Sequence, residues 1–169
     1  EADFLANLNM SSIVESFSKF NIPRVSQLTQ RSNQFNLRTI RYTIDDIQTM
    51  VKAKEYFTLS FSLEDKFGDY GLISIVILKK DSTNLFIDTW IMSCRVLNRG
   101  MEKFVLNHII DIASKNNFKE IVGEYLPTPK NEIVKNHYEN LGFSKSNNLW
   151  VLDVESYKEN NTFIKLTNG

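Results

Sequence analysis

The chain is poor in the residues that build covalent or metal frameworks. Cys94 is the one cysteine among 169 residues, which excludes an intrachain disulfide and fits a reducing, cytoplasmic setting. His108 and His137 are the two histidines. With one cysteine they give no metal-ligand spacing, so no metal is expected. No apolar run approaches the about 20 residues that span a bilayer, and no signal-peptide pattern is present; no membrane partner is expected. Twenty basic and twenty acidic residues cancel, and the Lys and Arg are scattered rather than striped, which argues against a nucleic-acid partner. Glycines and prolines are few, six and three, and no Gly/Ser linker or internal repeat appears. No Ser-His-Asp or phosphate-loop motif stands out.

What is present is a core. A hydrophobic fraction of 42% with twelve Phe suits one packed domain of this length. Apolar spacing at Phe4, Leu5, Leu8, Ile13, Val14 and Phe17 predicts a helix over Ala2 to Phe20. Pro23 opens a second helix, covering Arg24 to about Ser32. Arg38 to Tyr42 alternates as a strand. Thr43 and Asp46 then make a capping pair for a helix reaching Val51–Lys54. Strands Phe57–Glu64 and Gly71–Lys79 flank the turn Lys66-Phe67-Gly68-Asp69 as a hairpin. Leu85 to Arg95 reads as a central strand, apolar on both faces. Met101, Phe104, Val105, His108, Ile109, Ile112 and Ala113 define the clearest amphipathic helix. Glu120–Tyr125 follows as a strand. Thr128-Pro129 opens a helix through Leu141, ended by Gly142, and antiparallel strands close the chain at Phe143 and Leu149–Val154. The fold class is α/β, a mixed sheet with helices on both faces. Residues 1–36 are expected to be a helical extension or linker packed on a domain of 37–156, with 157–169 as a tail. The chain begins at Glu1, and its first forty residues read as a continuation of something upstream, so it is expected to be a domain of a longer protein.

Two segments carry candidate chemistry. The strand-to-helix turn Arg95-Val-Leu-Asn98-Arg99-Gly100 can hold a phosphate on free helix N–H groups, each such contribution being roughly 0.3–1 kcal/mol. Gly100 permits close backbone approach, Arg95 or Arg99 adds charge, and Asn98 tolerates a left-handed conformation. The alternative is an ordinary turn with surface arginines. In the later helix, Asn131 and Tyr138 share a face about 10.5 Å apart along the axis. A phenol with a reference value near 10 suits protonating a departing thiolate better than acting as a base; equally, Tyr138 can be core. His108 and His137 sit on apolar faces and read as mainly structural. Glu124 and Asp88 lie on strands beside the turn, each a base or a salt-bridge partner. Cys94 is either an acyl-accepting nucleophile, which would need activation, or a small buried hydrophobe.

Assembled, these residues resemble the GNAT superfamily of acyl-CoA N-acyltransferases across Arg38 to Val154. Arg95–Gly100 is similar to its Arg/Gln-x-x-Gly-x-Gly/Ala pyrophosphate loop, with Asn98 replacing the first glycine, and Asn131 to Phe143 is similar to its Asn-x6-Tyr-x-x-x-Gly-Phe segment. The resemblance implies a GNAT-like fold and makes Tyr138 the usual candidate acid. With Glu124 and Cys94 from the residues themselves, these are the catalytic candidates, and the expected cofactor site is Met92, Ser93, Arg95, Asn98, Arg99, Gly100 and Asn131. A narrower resemblance, to FkbH-like proteins, rests on Arg24-Val-Ser-Gln-Leu-Thr-Gln-Arg-Ser-Asn33-Gln-Phe-Asn36-Leu, Phe67-Gly-Asp-Tyr-Gly-Leu72, Met92-Ser-Cys-Arg95 and Gly123-Glu-Tyr-Leu-Pro-Thr-Pro-Lys-Asn131. It implies the C-terminal half of a protein whose upstream domain is of the haloacid dehalogenase class, since the Asp-x-Asp motif of that class is missing from this chain. It also implies acyl-CoA or an acyl carrier protein phosphopantetheine as cofactor, an acyl carrier protein as partner, and glyceryl loading as the activity. Arg24, Asn33 and Asn36 would line the acyl or acceptor pocket, or else belong to a buried loop network. Three hypotheses result: an acyltransferase, a non-catalytic module that docks a carrier protein, and a covalent way-station at Cys94.

Overall fold

The computed structural model describes residues 2–168. A short helix α1 (Ala2–Asn7) leads into two brief strands, β1 (Ser11–Ser12) and β2 (Val14–Glu15). The helix expected to Phe20 therefore stops after two turns. Asn9 takes a left-handed φ of 53°, and the chain beyond it pairs antiparallel with β3, Ser11 opposite Glu64 and Val14 opposite Phe61. Local spacing fitted a helix, but an edge partner claims these residues for the sheet, and packing outweighs propensity.

Helix α2 (Ile22–Arg31) carries Pro23 in its first turn, where a missing N–H costs nothing. Arg38 to Tyr42 forms no ladder: the chain bends at Arg38 and turns left-handed at Thr39, with a φ of 55°, and the neighbouring Asn36 makes a single bridge to Ile91. Helix α3 (Ile44–Lys52) has the expected capping box: Asp46 N–H donates to Thr43 Oγ1 at 3.1 Å, and Thr43 N–H to Asp46 Oδ2 at 2.9 Å.

The sheet is built on β3 (Tyr56–Asp65) and β4 (Gly68–Asp81), joined by a two-residue turn, and β5 (Asn84–Met92). Ile73 and Ile75 to Leu78 of β4 are fully buried, as expected of a central strand covered on both faces. Strand β5 ends at Met92 rather than Arg95, giving way to a 3-10 turn at Cys94–Val96. Then follow α4 (Met101–Lys115), β6 (Glu120–Gly123), a single helical turn α5 (His137–Asn140), and the antiparallel pair β7 (Ser144–Ser146) and β8 (Leu149–Asp153). A final strand, β9 (Lys165–Leu166), runs parallel to β1. The strand order is β7-β8-β6-β5-β4-β3-β1-β9, so elements before residue 37 and after residue 156 belong to the same sheet as the central strands.

The helix expected from Thr128 to Leu141 is interrupted. A 3-10 turn at Glu132–Val134 and α5 are all that forms. Asn131 is the cause: its side chain accepts from Thr128 N–H and donates to Leu126 O, bonds that compete with helical ones.

Helices α2 and α3 cover one face through Val25, Leu28, Ile47 and Met50 against Ile75, Ile77 and Ile91. Helix α4 covers the other through Phe104, Val105 and Ile109 against Phe61, Val76 and Leu78. Each such fully buried side chain contributes about 1.5–3 kcal/mol. No described helix is long and apolar enough to cross a membrane.

Candidate functional site

The parallel pairing of β5 with β6 lasts three residues, Asn84–Phe86 against Glu120–Val122. Beyond it the strands part. The segment Phe35–Arg38 lies in the gap. Met92 N–H donates to Phe35 O at 3.2 Å and Leu126 N–H to Leu37 O at 2.9 Å, while Asn36 bridges Ile91. Arg38 ties the two sides together: its Nε donates to Glu124 Oε1 at 3.0 Å, and its Nη1 to Asp88 O at 2.9 Å and Asp88 Oδ1 at 3.3 Å. Asp88 Oδ2 also accepts from Tyr42 Oη and Thr89 Oγ1. Both carboxylates left open as bases are thus salt-bridge partners of one guanidinium.

A cavity lies on each side of this segment. The larger, about 840 Å³, brings Arg24, Asn33, Met92, Ser93, Cys94 and Arg95 together with Arg31 and Lys130. The smaller, about 470 Å³, brings Asn98, Arg99 and Gly100 together with Lys103, His137 and Asn140. Phe35 lines both. It is 4% exposed, packs edge-on to His137 at 5.1 Å, and is the wall between them. The sequence reading missed Phe35; the one available signal was an aromatic set in the polar run Asn33–Asn36.

At the smaller cavity the backbone has the form the sequence allowed. Asn98 and Gly100 are left-handed, with φ of 64° and 81°, and no side chain caps α4. Its first amides are therefore open to an anion. Arg99 is a correction: it pairs with Asp65 at the β3–β4 turn, so its charge is already neutralised. Burial alone would raise the Asp65 carboxyl, but the Phe67 N–H and the Arg99 guanidinium outweigh it and hold it below the usual carboxylate range.

Two further candidates are committed elsewhere. Asn131 is fully buried. Its amide nitrogen donates to Asn36 O and Leu126 O, each at 3.0 Å, and its oxygen accepts from Thr128 N–H at 2.8 Å and Tyr125 Oη at 3.2 Å. That is its full capacity, leaving nothing for a cofactor. Asn36 is also buried, donating to Ser32 O and accepting from Thr39 N–H; this is the buried loop network weighed against a substrate role. Asn33 Oδ1 accepts from Arg41, which also donates to Thr29 O and Ser32 O at the end of α2.

Cys94 is exposed, not a buried hydrophobe, and its thiol donates to Gln34 Oε1 at 3.1 Å. Tyr138 is 2% exposed and lines neither cavity. Its ring lies 5.2 Å from His137 and 6.3 Å from Trp90. Burial raises its phenol well above the ordinary value, with Arg38 lowering and Glu124 adding to the effect. Tyr138 Oη, His137 Nε2, Trp90 Nε1 and Thr39 Oγ1 are buried polar atoms without a hydrogen-bond partner among the described residues.

No protein-family model matches the sequence, and no curated protein matches it significantly. Solved structures match the fold. The ribosomal-protein-S18-alanine N-acetyltransferase of Escherichia coli has a TM-score of 0.64 at 14% identity, covering 89% of this chain and 98% of its own. A GNAT-family acetyltransferase of Staphylococcus aureus has 0.64 at 11%, covering 85% and 99%. The spermidine N-acetyltransferase of Vibrio cholerae, solved in complex with CoA and spermine, has 0.62 at 13%, covering 88% and 98%. The chain is a mixed α/β protein with the fold of GNAT acetyltransferases; at these identities the likeness is one of fold.

Proposed function

We propose that the chain is an acyltransferase-type domain that binds a pantetheine thioester, from coenzyme A or an acyl carrier protein. The observation that carries this reading is the parting of β5 from β6 with a cavity on each side, one for the thioester and one for the acceptor. The residues fit the group: the left-handed Asn98 and Gly100 and the uncapped start of α4 would hold its phosphates. When bound, the thioester supplies an activated acyl group. Met92 N–H, now bonded to Phe35 O, is a donor at the gap, so the Phe35–Arg38 segment must give way for a ligand to use it. Tyr138 Oη is the proposed acid for a departing thiolate. Burial raises it well above the ordinary phenol range, which weakens it as an acid, and it lines neither cavity. The role therefore requires the gap to open and bring the thiolate to the ring. The FkbH-like segments support a finer reading: loading of a glyceryl-type acyl unit on a carrier protein, with an upstream haloacid dehalogenase-type domain in the same polypeptide.

A second reading, a non-catalytic module that docks a carrier protein, is favoured by the engagement of Asp88 and Glu124 with Arg38, which leaves neither carboxylate free as a base at the gap. The test is acyl-CoA and acyl-carrier-protein turnover, alongside binding. Tyr138→Phe is expected to lower kcat at least about tenfold without loss of stability, because its hydroxyl has no partner to lose. Unchanged turnover removes Tyr138 from the mechanism. Binding without turnover supports the docking module, and binding of neither ligand sinks both readings.

A further inference from the structure

We propose that the larger cavity is an oxyanion site, built to take a substrate that carries a phosphate group. Its charged lining is Arg24, Arg31, Arg95 and Lys130, with no carboxylate among the lining residues. In a chain of twenty acids and twenty bases, this sorting by sign does not follow from composition. The four cations also come from three separate places: α2, the turn after β5, and the loop after β6. A solvated face of one helix would not bring them to one cavity.

Among the described residues none of the four forms an ion pair. Arg24 donates to the neutral Gln27 Oε1 at 2.6 Å, and Arg95 to Tyr70 O at 3.3 Å and to Ser93 Oγ at 3.5 Å. Those bonds orient the guanidiniums and leave further N–H groups free. Four like charges around one hollow repel one another, and a bound dianion relieves that repulsion. Guanidinium forks match phosphate oxygens two at a time, with the Asn33 and Ser93 side chains on the same wall. The same lining disfavours a polyamine, although the Vibrio cholerae enzyme of the same fold was solved with spermine.

Calling the ligand a substrate rests on the acyltransferase reading; the binding itself does not. The probe is inorganic phosphate, titrated into the full chain and followed by phosphorus NMR, with and without saturating coenzyme A, and with spermine as the control. Phosphate is expected to bind in both conditions, to weaken as salt is added, and to lose about tenfold in affinity in Arg24→Gln and in Arg31→Gln. These exposed replacements should leave the urea midpoint unchanged, and spermine should not bind. Loss of phosphate binding on adding coenzyme A would assign the cations to the coenzyme's own phosphates and overturn the proposal. So would tighter binding of spermine than of phosphate, or unchanged affinity in both variants. Phosphate binding that is intact in a chain that binds neither coenzyme A nor acyl carrier protein would keep this site while removing the acyltransferase reading.

Discussion

Gly123, at the end of β6, shows what a single missing side chain does for the site. A Cβ built there would meet the Tyr138 ring at 2.5, 2.7 and 2.8 Å. That ring is walled in by Trp90, His137 and Phe143, so it cannot swing aside. Glycine is needed here for close approach, not for an unusual backbone angle. Gly123→Ala is therefore expected to cost roughly 1–3 kcal/mol by overpacking, read as a lower urea midpoint. A midpoint within about 0.3 kcal/mol of the parent would show that the Tyr138 ring has room to move. The unpartnered hydroxyl beyond that ring is a second residue-scale feature. A buried polar atom without a partner costs about 1–3 kcal/mol, and three more, on Trp90, His137 and Thr39, are buried without partners. Thr39 is also β-branched at a φ of 55°, a strained conformation for such a residue. Strain and unmet polar atoms both fall on or around the segment that fills the gap.

At the scale of elements, the decisive arrangement is two parallel strands that pair for three residues and then part. Something must hold the open end at a set width, and Arg38 does so by reaching from Asp88 on β5 to Glu124 beyond β6. Its side chain is 17% exposed and that of Asp88 12%, so the contact lies between a surface bridge and a buried one. Arg38→Gln would leave the Asp88 carboxylate with its hydroxyl donors but no counter-charge. The expected loss is roughly 2–3 kcal/mol in urea unfolding at neutral pH. A loss below about 0.5 kcal/mol would class the pair as an ordinary solvated bridge and leave the width of the gap to Phe35 and Leu37.

The whole molecule carries a pH dependence through His137. Burial pushes this imidazole down to about 3, against about 6.5 in an unfolded chain. Below about pH 6.5 the unfolded state therefore takes up a proton that the folded state refuses, and stability falls until the pH nears the folded value. Above that window the contribution is complete and flat. Between about pH 7 and pH 5 the loss should come to roughly 2 kcal/mol, and His137→Phe, similar in shape, should flatten that part of the curve. A variant with the parent's slope would assign the dependence to other groups.

Within the same molecule, the sequence by itself determined what nearest neighbours decide: the Thr43–Asp46 capping box, the turn at Lys66-Phe67, the long helix from Met101, and a left-handed Asn98 before Gly100. Each rests on contacts within a few residues, so spacing and side-chain type suffice. Tertiary structure alone decided the rest. The stretch Ser11–Glu15 became strand because β3 offered an edge. The Asn131 side chain, whose bonds to Thr128 and Leu126 interrupt the helix, is also held by Asn36, 95 residues away in the chain. The gap, the Phe35 wall within it and the four cations on one hollow depend on the register of distant segments. Such pairings leave no local trace, because what they require of each residue is only size, polarity or charge.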